Sequence, residues 1–411
     1  MLKLGGAVIP MQPNFDKIKV LSGNRDINKV LEVKALPIFD DKVCQFLDVV
    51  SKELLRLPLA QNYSDIITFA FFCRKANIKK IKEDYKSEIS MRIGRGMVFH
   101  IAPGNVAVNF AYSLVAALLA GNPSIVKISR KDFPQTSIII NTLNLILERA
   151  EYKSLKPYIS IWSYSNSEED ITRRLSEKSS VRIIWGGNRT INTVRKLPLR
   201  PKAYDLTFAD RCSICVINAE ELIKVSDLTT VVRDFYNDTY LMDQNACTSP
   251  YLIIWIGKRD IVLQAQERFW RNISAYVRKN YDITAGITID KLDMVYQVAI
   301  NFNNIEIKSE DNYIYRVQIK SIDKKLAEFR CAGGLFYEYI EEELSASEFI
   351  TEQYQTLSYY GYDSDFLREW VINNGLSGID RIVPMGHTMD FSLIWDGYDL
   401  IRTLSRRINT N

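Results

Sequence analysis

The chain has 411 residues, 47% of them apolar and 25% charged, and 53 basic against 49 acidic side chains leave a net charge of +4. That length supports two cores rather than one, and the interspersed charges lack the concentrated basic face that nucleic-acid binding requires. Only two histidines occur, His100 and His387, so a histidine-rich metal site is not expected.

Met1 to Pro10 carries one lysine and an apolar patch shorter than the core of a secretory signal, so no export is expected. From Gly96 the chain reads as an apolar strand through Ala102, turns at Pro103-Gly104-Asn105, continues as a helix through Ala120, breaks at Gly121-Asn122-Pro123 and resumes as a strand, Ser124 to Ile128. The helical part, Val106 to Gly121, falls short of the roughly 20 residues that span a bilayer and is expected to be a buried core helix, so the chain is not membrane-spanning. Strands without alternation, joined through a helix, predict a parallel sheet covered on both faces. A second unit of the same size follows: strand Tyr158 to Trp162, helix Glu168 to Lys178, strand Val181 to Trp185, a Gly186-Gly187 turn and helix Arg189 to Leu197.

After Asn218 the pattern changes to an amphipathic helix, Asp227 to Tyr240, then Cys247, an apolar strand Tyr251 to Ile256 and a long helix Asp260 to Tyr281. Further strands are predicted at 313–319, 334–340 and 356–361, and the acidic run Glu338 to Glu343 reads as a solvated loop or helix start. The fold class is therefore α/β, with two doubly wound domains: 1–218, to which the tail 396–411 returns, and 219–395. The six cysteines, 44, 73, 212, 215, 247 and 331, show no disulfide framework, which fits a reducing cytoplasm. Cys212-Ser-Ile-Cys215 has CxxC spacing, but it lies inside a strand pattern without a second pair and reads as core.

Cys247, between an amphipathic helix and a buried strand, is the candidate nucleophile. The strand-to-helix turn at Asn105 leaves backbone N–H groups at the positive end of a helix and suits an oxyanion, although Asn105 as a simple cap fits equally. Lys127 lies near the end of an apolar strand, where open α/β sheets bind ligands, and Ser129-Arg130-Lys131 add a hydroxyl and two cations suited to phosphate. Gly186 and Gly187 would let a pyrophosphate approach the backbone, a weak signal without the full glycine-rich motif. His100, inside an apolar strand, and His387, in a turn, read as structural.

The segments His100-Ile-Ala-Pro-Gly-Asn-Val, Ser113 to Lys127, Asp243-Gln-Asn-Ala-Cys247-Thr-Ser-Pro, Gln355-Thr356, Gly378-Ile-Asp-Arg-Ile382 and Trp395-Asp-Gly397 resemble the acyl-CoA reductases of the LuxC family, over roughly Gly94 to the C-terminus. Through it the chain resembles the aldehyde dehydrogenase superfamily. The resemblance implies an aldehyde dehydrogenase-like fold with a Rossmann-like cofactor domain and a catalytic domain. By position it implies Cys247 as acyl carrier, Asn105 as oxyanion donor, Lys127 on the adenosine ribose, and Gly186 and Gly187 at the phosphate-side turn.

Two departures refine the expectation. Arg130 stands where NAD-using members often place a ribose-binding glutamate, and it favours NADPH. Thr207-Phe-Ala-Asp-Arg211 replaces the segment carrying the water-activating glutamate, and a thioester reduction needs no such base. The expected activity is NADPH-dependent reduction of an acyl-CoA or acyl-protein thioester to an aldehyde, with an acyl-protein synthetase as the partner implied and a homo-oligomer as the assembly. The rival readings are an acyltransferase without redox chemistry, a nucleotide-binding scaffold in which Cys247 is inert, and a superfamily reductase acting on an acyl phosphate.

Overall fold

The computed structural model describes residues 3–4, 7–8, 15–345 and 347–410, and the chain divides into two compact units, Met1–Ala209 with Phe391–Asn411, and Asp210–Asp390.

The first unit is built on a six-stranded sheet: β1 (Lys19–Ser22), β2 (Val98–Ile101), β3 (Ser124–Ile128), β4 (Ile159–Ser163), β5 (Val181–Trp185) and β6 (Tyr204–Phe208), in the order β1-β4-β3-β2-β5-β6. All neighbours run parallel except the edge strand β1 against β4. Strands β2 to β5 are buried along their whole length, which is why the sequence shows continuous apolar runs there. Val98, Val126, Ile161 and Ile183 pack on one face under α1 (Asp41–Arg56), α2 (Asn109–Leu119) and α3 (Pro134–Leu147). Phe99, Ile125, Trp162 and Ile184 pack on the other under α4 (Glu169–Lys178) and α5 (Asn188–Arg195). The expected core helix is α2, whose aliphatic side chains are buried almost all round. It ends at Gly121, where φ is 84° and a Cβ would stand 2.0 Å from the Leu36 carbonyl oxygen, so no side chain fits that turn. Residues Ser405–Arg407 return to this unit and pair antiparallel with Arg92–Gly94.

The second unit holds a seven-stranded sheet: β7 (Cys212–Asn218), β8 (Pro250–Ile256), β9 (Glu306–Ser309), β10 (Tyr315–Gln318), β11 (Leu335–Glu341), β12 (Tyr354–Tyr360) and β13 (Arg381–Pro384), in the order β9-β10-β11-β8-β7-β12-β13. Only β9 is antiparallel to its neighbour. The faces are covered by α6 (Thr229–Thr239) and α7 (Arg259–Asn280) on one side, and by α8 (Ala285–Asn301) and α9 (Ser364–Asn373) on the other. Because β7 pairs with β8 and β12, it belongs to the second sheet, and the chain changes units at Ala209–Asp210, ahead of Asn218.

The acidic run 338–343 requires a correction. Glu338 lies within β11 and is 1% exposed, and its carboxylate accepts from Trp255 Nε1 at 2.8 Å, Trp270 Nε1 at 2.7 Å and Arg316 Nε at 2.7 Å. Donors from β8, α7 and β10 replace the water that an acidic run otherwise seeks.

Candidate active site

In the second unit, α6 gives way to a short turn, Tyr240–Met242, and then to Asp243 and Gln244 with φ of 52° and 56°. Two successive left-handed residues other than glycine cost about 1–3 kcal/mol each, so neighbouring contacts must hold them. The Gln244 amide donates to the carbonyls of Pro250 and Leu335, both at 3.1 Å, and accepts from the Gly334 N–H at 2.9 Å. The Tyr281 hydroxyl donates to Asp243 Oδ1 at 2.8 Å, and the Gly333 N–H donates to the Asp243 carbonyl at 3.0 Å. Gly333, Gly334 and Leu335 thus buttress the cysteine loop.

Cys247 comes next, half-buried just ahead of β8, with its carbonyl accepting the Ser213 hydroxyl at 2.7 Å. Arg381, at the start of β13, has Asp390 and Asp238 and then Cys247 among the titratable groups about it. This arginine donates to three backbone carbonyls of one loop: Thr388 at 2.6 Å, His387 at 2.9 Å and Asp390 at 2.5 Å. The same loop is held from below by Asp238, a fully buried carboxylate in the last turn of α6. It accepts from the Gly386 N–H at 2.7 Å, the Thr388 N–H at 3.0 Å and the Thr388 hydroxyl at 2.9 Å. Burial raises the Asp238 carboxyl to about 6 against the pull of those donors.

In the first unit, the carboxyl ends of β3 and β4 open onto a cavity of about 800 Å³ lined by Lys17, Lys19, Ser129, Arg130, Lys131 and Ser165, among others. Lys127, 8% exposed within β3, donates from Nζ to Asn166 Oδ1 and lies 5.0 Å from the Tyr164 ring centre. Desolvation lowers its ammonium to about 8. The Ser129 hydroxyl accepts from the Lys131 N–H at 3.1 Å, while Arg130 and Lys131 are exposed. Cations, hydroxyls and a roomy crevice at strand ends fit the phosphate-bearing end of a dinucleotide. Gly186 and Gly187 follow β5, and Gly187 occupies the N-cap of α5, where a Cβ would meet nothing within 4 Å.

Of the residues singled out in the sequence, Lys127, Ser129 and Arg130 gather at one end of the first sheet, and Gly186 and Gly187 open α5. Asn105 lies exposed in the turn between β2 and α2. It is not the cap of that helix, whose N-cap is Val108. His100 is a core histidine, with Nδ1 2.8 Å from the Ser113 hydroxyl, and burial drives its pKa down to about 3. His387 is exposed and its ring bonds Asp390 at 2.8 Å. Sequence reasoning missed Arg381, Asp238 and Ser213. Arg381 lay within the family-like segment Gly378 to Ile382 but had no partner until the sheet register placed it opposite Thr356.

Among the described residues, no helix is long and apolar enough to cross a membrane. Residues 40–308 match the model of the acyl-CoA reductase (LuxC) family. Long-chain acyl-protein thioester reductases are similar in sequence. The one from Photorhabdus laumondii is 22% identical over 320 residues, 76% of this chain and 63% of that protein, and the one from Aliivibrio fischeri is 22% identical over 301 residues, 71% and 58% of the two chains. The chain thus spans less than two thirds of the length of these relatives. Among solved structures, an NAD-dependent benzaldehyde dehydrogenase from Corynebacterium glutamicum superposes with a TM-score of 0.63 at 12% identity, covering 91% of this chain and 85% of that one. A lactaldehyde dehydrogenase superposes with a TM-score of 0.64 at 11% identity, covering 92% and 88%. The fold is aldehyde dehydrogenase-like, and the chain belongs to the acyl-CoA reductase (LuxC) family.

Proposed function

We propose that this protein reduces an acyl thioester, carried by CoA or by an acylated protein such as an acyl-protein synthetase, to an aldehyde through an acyl-cysteine at Cys247. The observation that carries the reading is the Cys247 loop itself: a half-buried thiol just ahead of a buried strand, on a braced left-handed turn, within electrostatic reach of a guanidinium. The Cys247 thiolate attacks the carbonyl carbon, the carbon–sulfur bond of the substrate breaks, and the carrier thiol leaves with a proton. Exchange between two sulfur nucleophiles is close to balanced in energy and needs no activated water. By its position in the family-like segment, Asn105 would supply an amide donor to the oxyanion, an effect of about 3 kcal/mol per donor in comparable sites.

When bound, NADPH supplies hydride to the acyl carbon. Lys127 would hold the adenosine ribose, Ser129 and Arg130 the adjoining phosphate, and Gly186 and Gly187 the pyrophosphate. Collapse of the thiohemiacetal then breaks its carbon–sulfur bond, releases the aldehyde and returns the Cys247 thiolate. Arg130 favours the 2′-phosphate because its forked donors match phosphate oxygens. The segment Thr207 to Arg211 provides no glutamate to activate water, which favours reduction over hydrolysis.

The reading is tested by following NADPH absorbance with a panel of acyl-CoAs, comparing wild type with Cys247→Ala. Turnover is expected in the wild type and absent in the variant. Acyl transfer without NADPH consumption would replace the reading with a transferase, and NADH outperforming NADPH would remove the role given to Arg130.

A further inference from the structure

We propose that Lys19, on the antiparallel edge strand β1, selects a cofactor that carries a phosphate monoester, acting together with Arg130 in the cavity at the ends of β3 and β4. The inference rests on the reading of the first unit as a nicotinamide-cofactor site. It assigns the choice of NADPH over NADH in part to a residue that precedes the family-matched residues 40–308.

Sheet register brings Lys19 to that cavity. Lys19 is the register partner of Ser163 on β4, and Ser163 is in turn the partner of Ile128 on β3, so the three form one row across the sheet. Residues of one row share a face, and Ile128 packs in the core on the α3 side, so Lys19 leaves β1 on that side. Two strand spacings separate the Lys19 and Ile128 backbones, about 10 Å in all, and Arg130 stands two residues beyond Ile128. Two long side chains can close on one small anion across such a span. Lys19, Ser163 and Arg130 all line the cavity of about 800 Å³, with Leu21 and Ile140 in its apolar wall.

Contacts beyond the ladder hold β1 in place. Asn144 Nδ2 on α3 donates to the Leu21 carbonyl at 2.9 Å, and Trp162 Nε1 on β4 donates to the Asn24 carbonyl at 3.1 Å. Ahead of the strand, Lys17 Nζ donates to both carboxylate oxygens of Glu168, at 2.9 and 3.0 Å. That ion pair takes up the Glu168 charge, which leaves Lys19, Arg130 and Lys131 against Asp132 in the lining. Among the described residues, neither Lys19 nor Arg130 has an ion-pair partner. A lysine on an edge strand ordinarily serves to discourage pairing with another chain. Lys19 instead borders a cavity that holds a second uncommitted cation. A phosphate monoester carries about −1.5 to −2 at neutral pH, more than either phosphate of a pyrophosphate linkage, and a guanidinium fork with an ammonium beside it matches that charge. In NADPH the monoester is the 2′-phosphate.

The test is isothermal titration calorimetry of the full chain with adenosine 2′,5′-bisphosphate and with 5′-AMP, two probes that differ only by the 2′-phosphate. The wild type is expected to bind the bisphosphate about tenfold or more tightly than 5′-AMP. Lys19→Gln should weaken the bisphosphate by about tenfold and leave 5′-AMP unchanged, whereas Lys19→Arg should keep most of the preference. Lys19 is exposed, so the substitution removes no packing, and an unchanged thermal midpoint checks that the variant folds. A Lys19→Gln protein that keeps the wild-type preference would overturn the proposal and return Lys19 to guarding the strand edge. A wild type that binds both probes alike would overturn the monoester pocket while leaving a nicotinamide-cofactor site in place. Binding of neither probe would remove the cofactor reading of the first unit and the proposal with it.

Discussion

The Ser213 hydroxyl donates to the Cys247 carbonyl at 2.7 Å and accepts from the Thr356 N–H at 3.2 Å. Ser213 sits where the pairing of β7 with both of its neighbours is irregular, a local break that frees its side chain to bridge the cysteine loop to β12. Ser213→Ala removes that bridge and leaves a carbonyl and an N–H to find new partners, at about 1–3 kcal/mol. Urea unfolding followed by fluorescence should show the loss, and turnover should fall with it because the loop that carries Cys247 loosens. Unchanged unfolding and unchanged turnover would mean that the bridge is incidental.

Lys127 gives a pH-dependent prediction whose sign is fixed by burial. Its folded value is lowered to about 8 from an ordinary 10.5, so between those limits the unfolded chain binds more protons than the folded one, and stability rises with pH. Below pH 8 the cost of the buried ammonium is fully present; above it the cost is relieved. Lys127→Met should therefore stabilise the protein at pH 7.5 and lose that advantage by pH 10, measured by urea unfolding at both values. If the amine holds the adenosine ribose, as proposed, NADPH affinity should also fall at either pH. A stability difference independent of pH would show that the ammonium is not desolvated.

Glu338 carries the largest effect expected away from the reaction site. Its carboxylate receives two indole N–H groups, the Gln266 amide at 3.0 Å and the Arg316 guanidinium. Glu338→Gln strips the counter-charge from Arg316 and turns part of an acceptor-only group into a donor facing other donors. Breaking one side of a buried pair costs about 3–5 kcal/mol. A fall in the urea midpoint is expected without change in KM for either substrate, and a stability within 0.5 kcal/mol of wild type, on the order of a neutral surface change, would contradict the network.

Glu338 also marks where the sequence stops being legible. Strands β2 to β5 could be read directly, because parallel strands buried on both faces are continuous apolar runs and need no partner to be recognised. The place of Cys247 just ahead of β8 was legible for the same local reason, since it stands between an amphipathic helix and such a run. Glu338 was misread as solvated because its donors, Trp255, Trp270 and Arg316, arrive from three other elements. Arg381 and Ser213 have the same character: both were visible as residues, but what makes them matter is the register of β7, β12 and β13, and no spacing along the chain encodes that. Asp238 looked like one more acid on an amphipathic helix until burial placed it against the Gly386 to Thr388 loop.

Gly187 separates conformational need from functional need. Its φ is −62°, an angle open to any residue, and a Cβ there would meet nothing within 4 Å, so the folded protein has no reason to require glycine. Gly187→Ala should leave stability unchanged or raise it by about 0.4–1 kcal/mol, since alanine restricts the unfolded chain. If a pyrophosphate lies against the N-terminus of α5, the added methyl occupies the approach that the bare backbone leaves open, and the helix N–H groups lose their anion. KM for NADPH is then expected to rise roughly fivefold to tenfold, about 1–1.4 kcal/mol of binding, with alkylation of Cys247 unchanged because that thiol belongs to the second unit. An alanine variant that binds NADPH as the wild type does would place the pyrophosphate elsewhere on the first unit and return Gly187 to an ordinary helix cap.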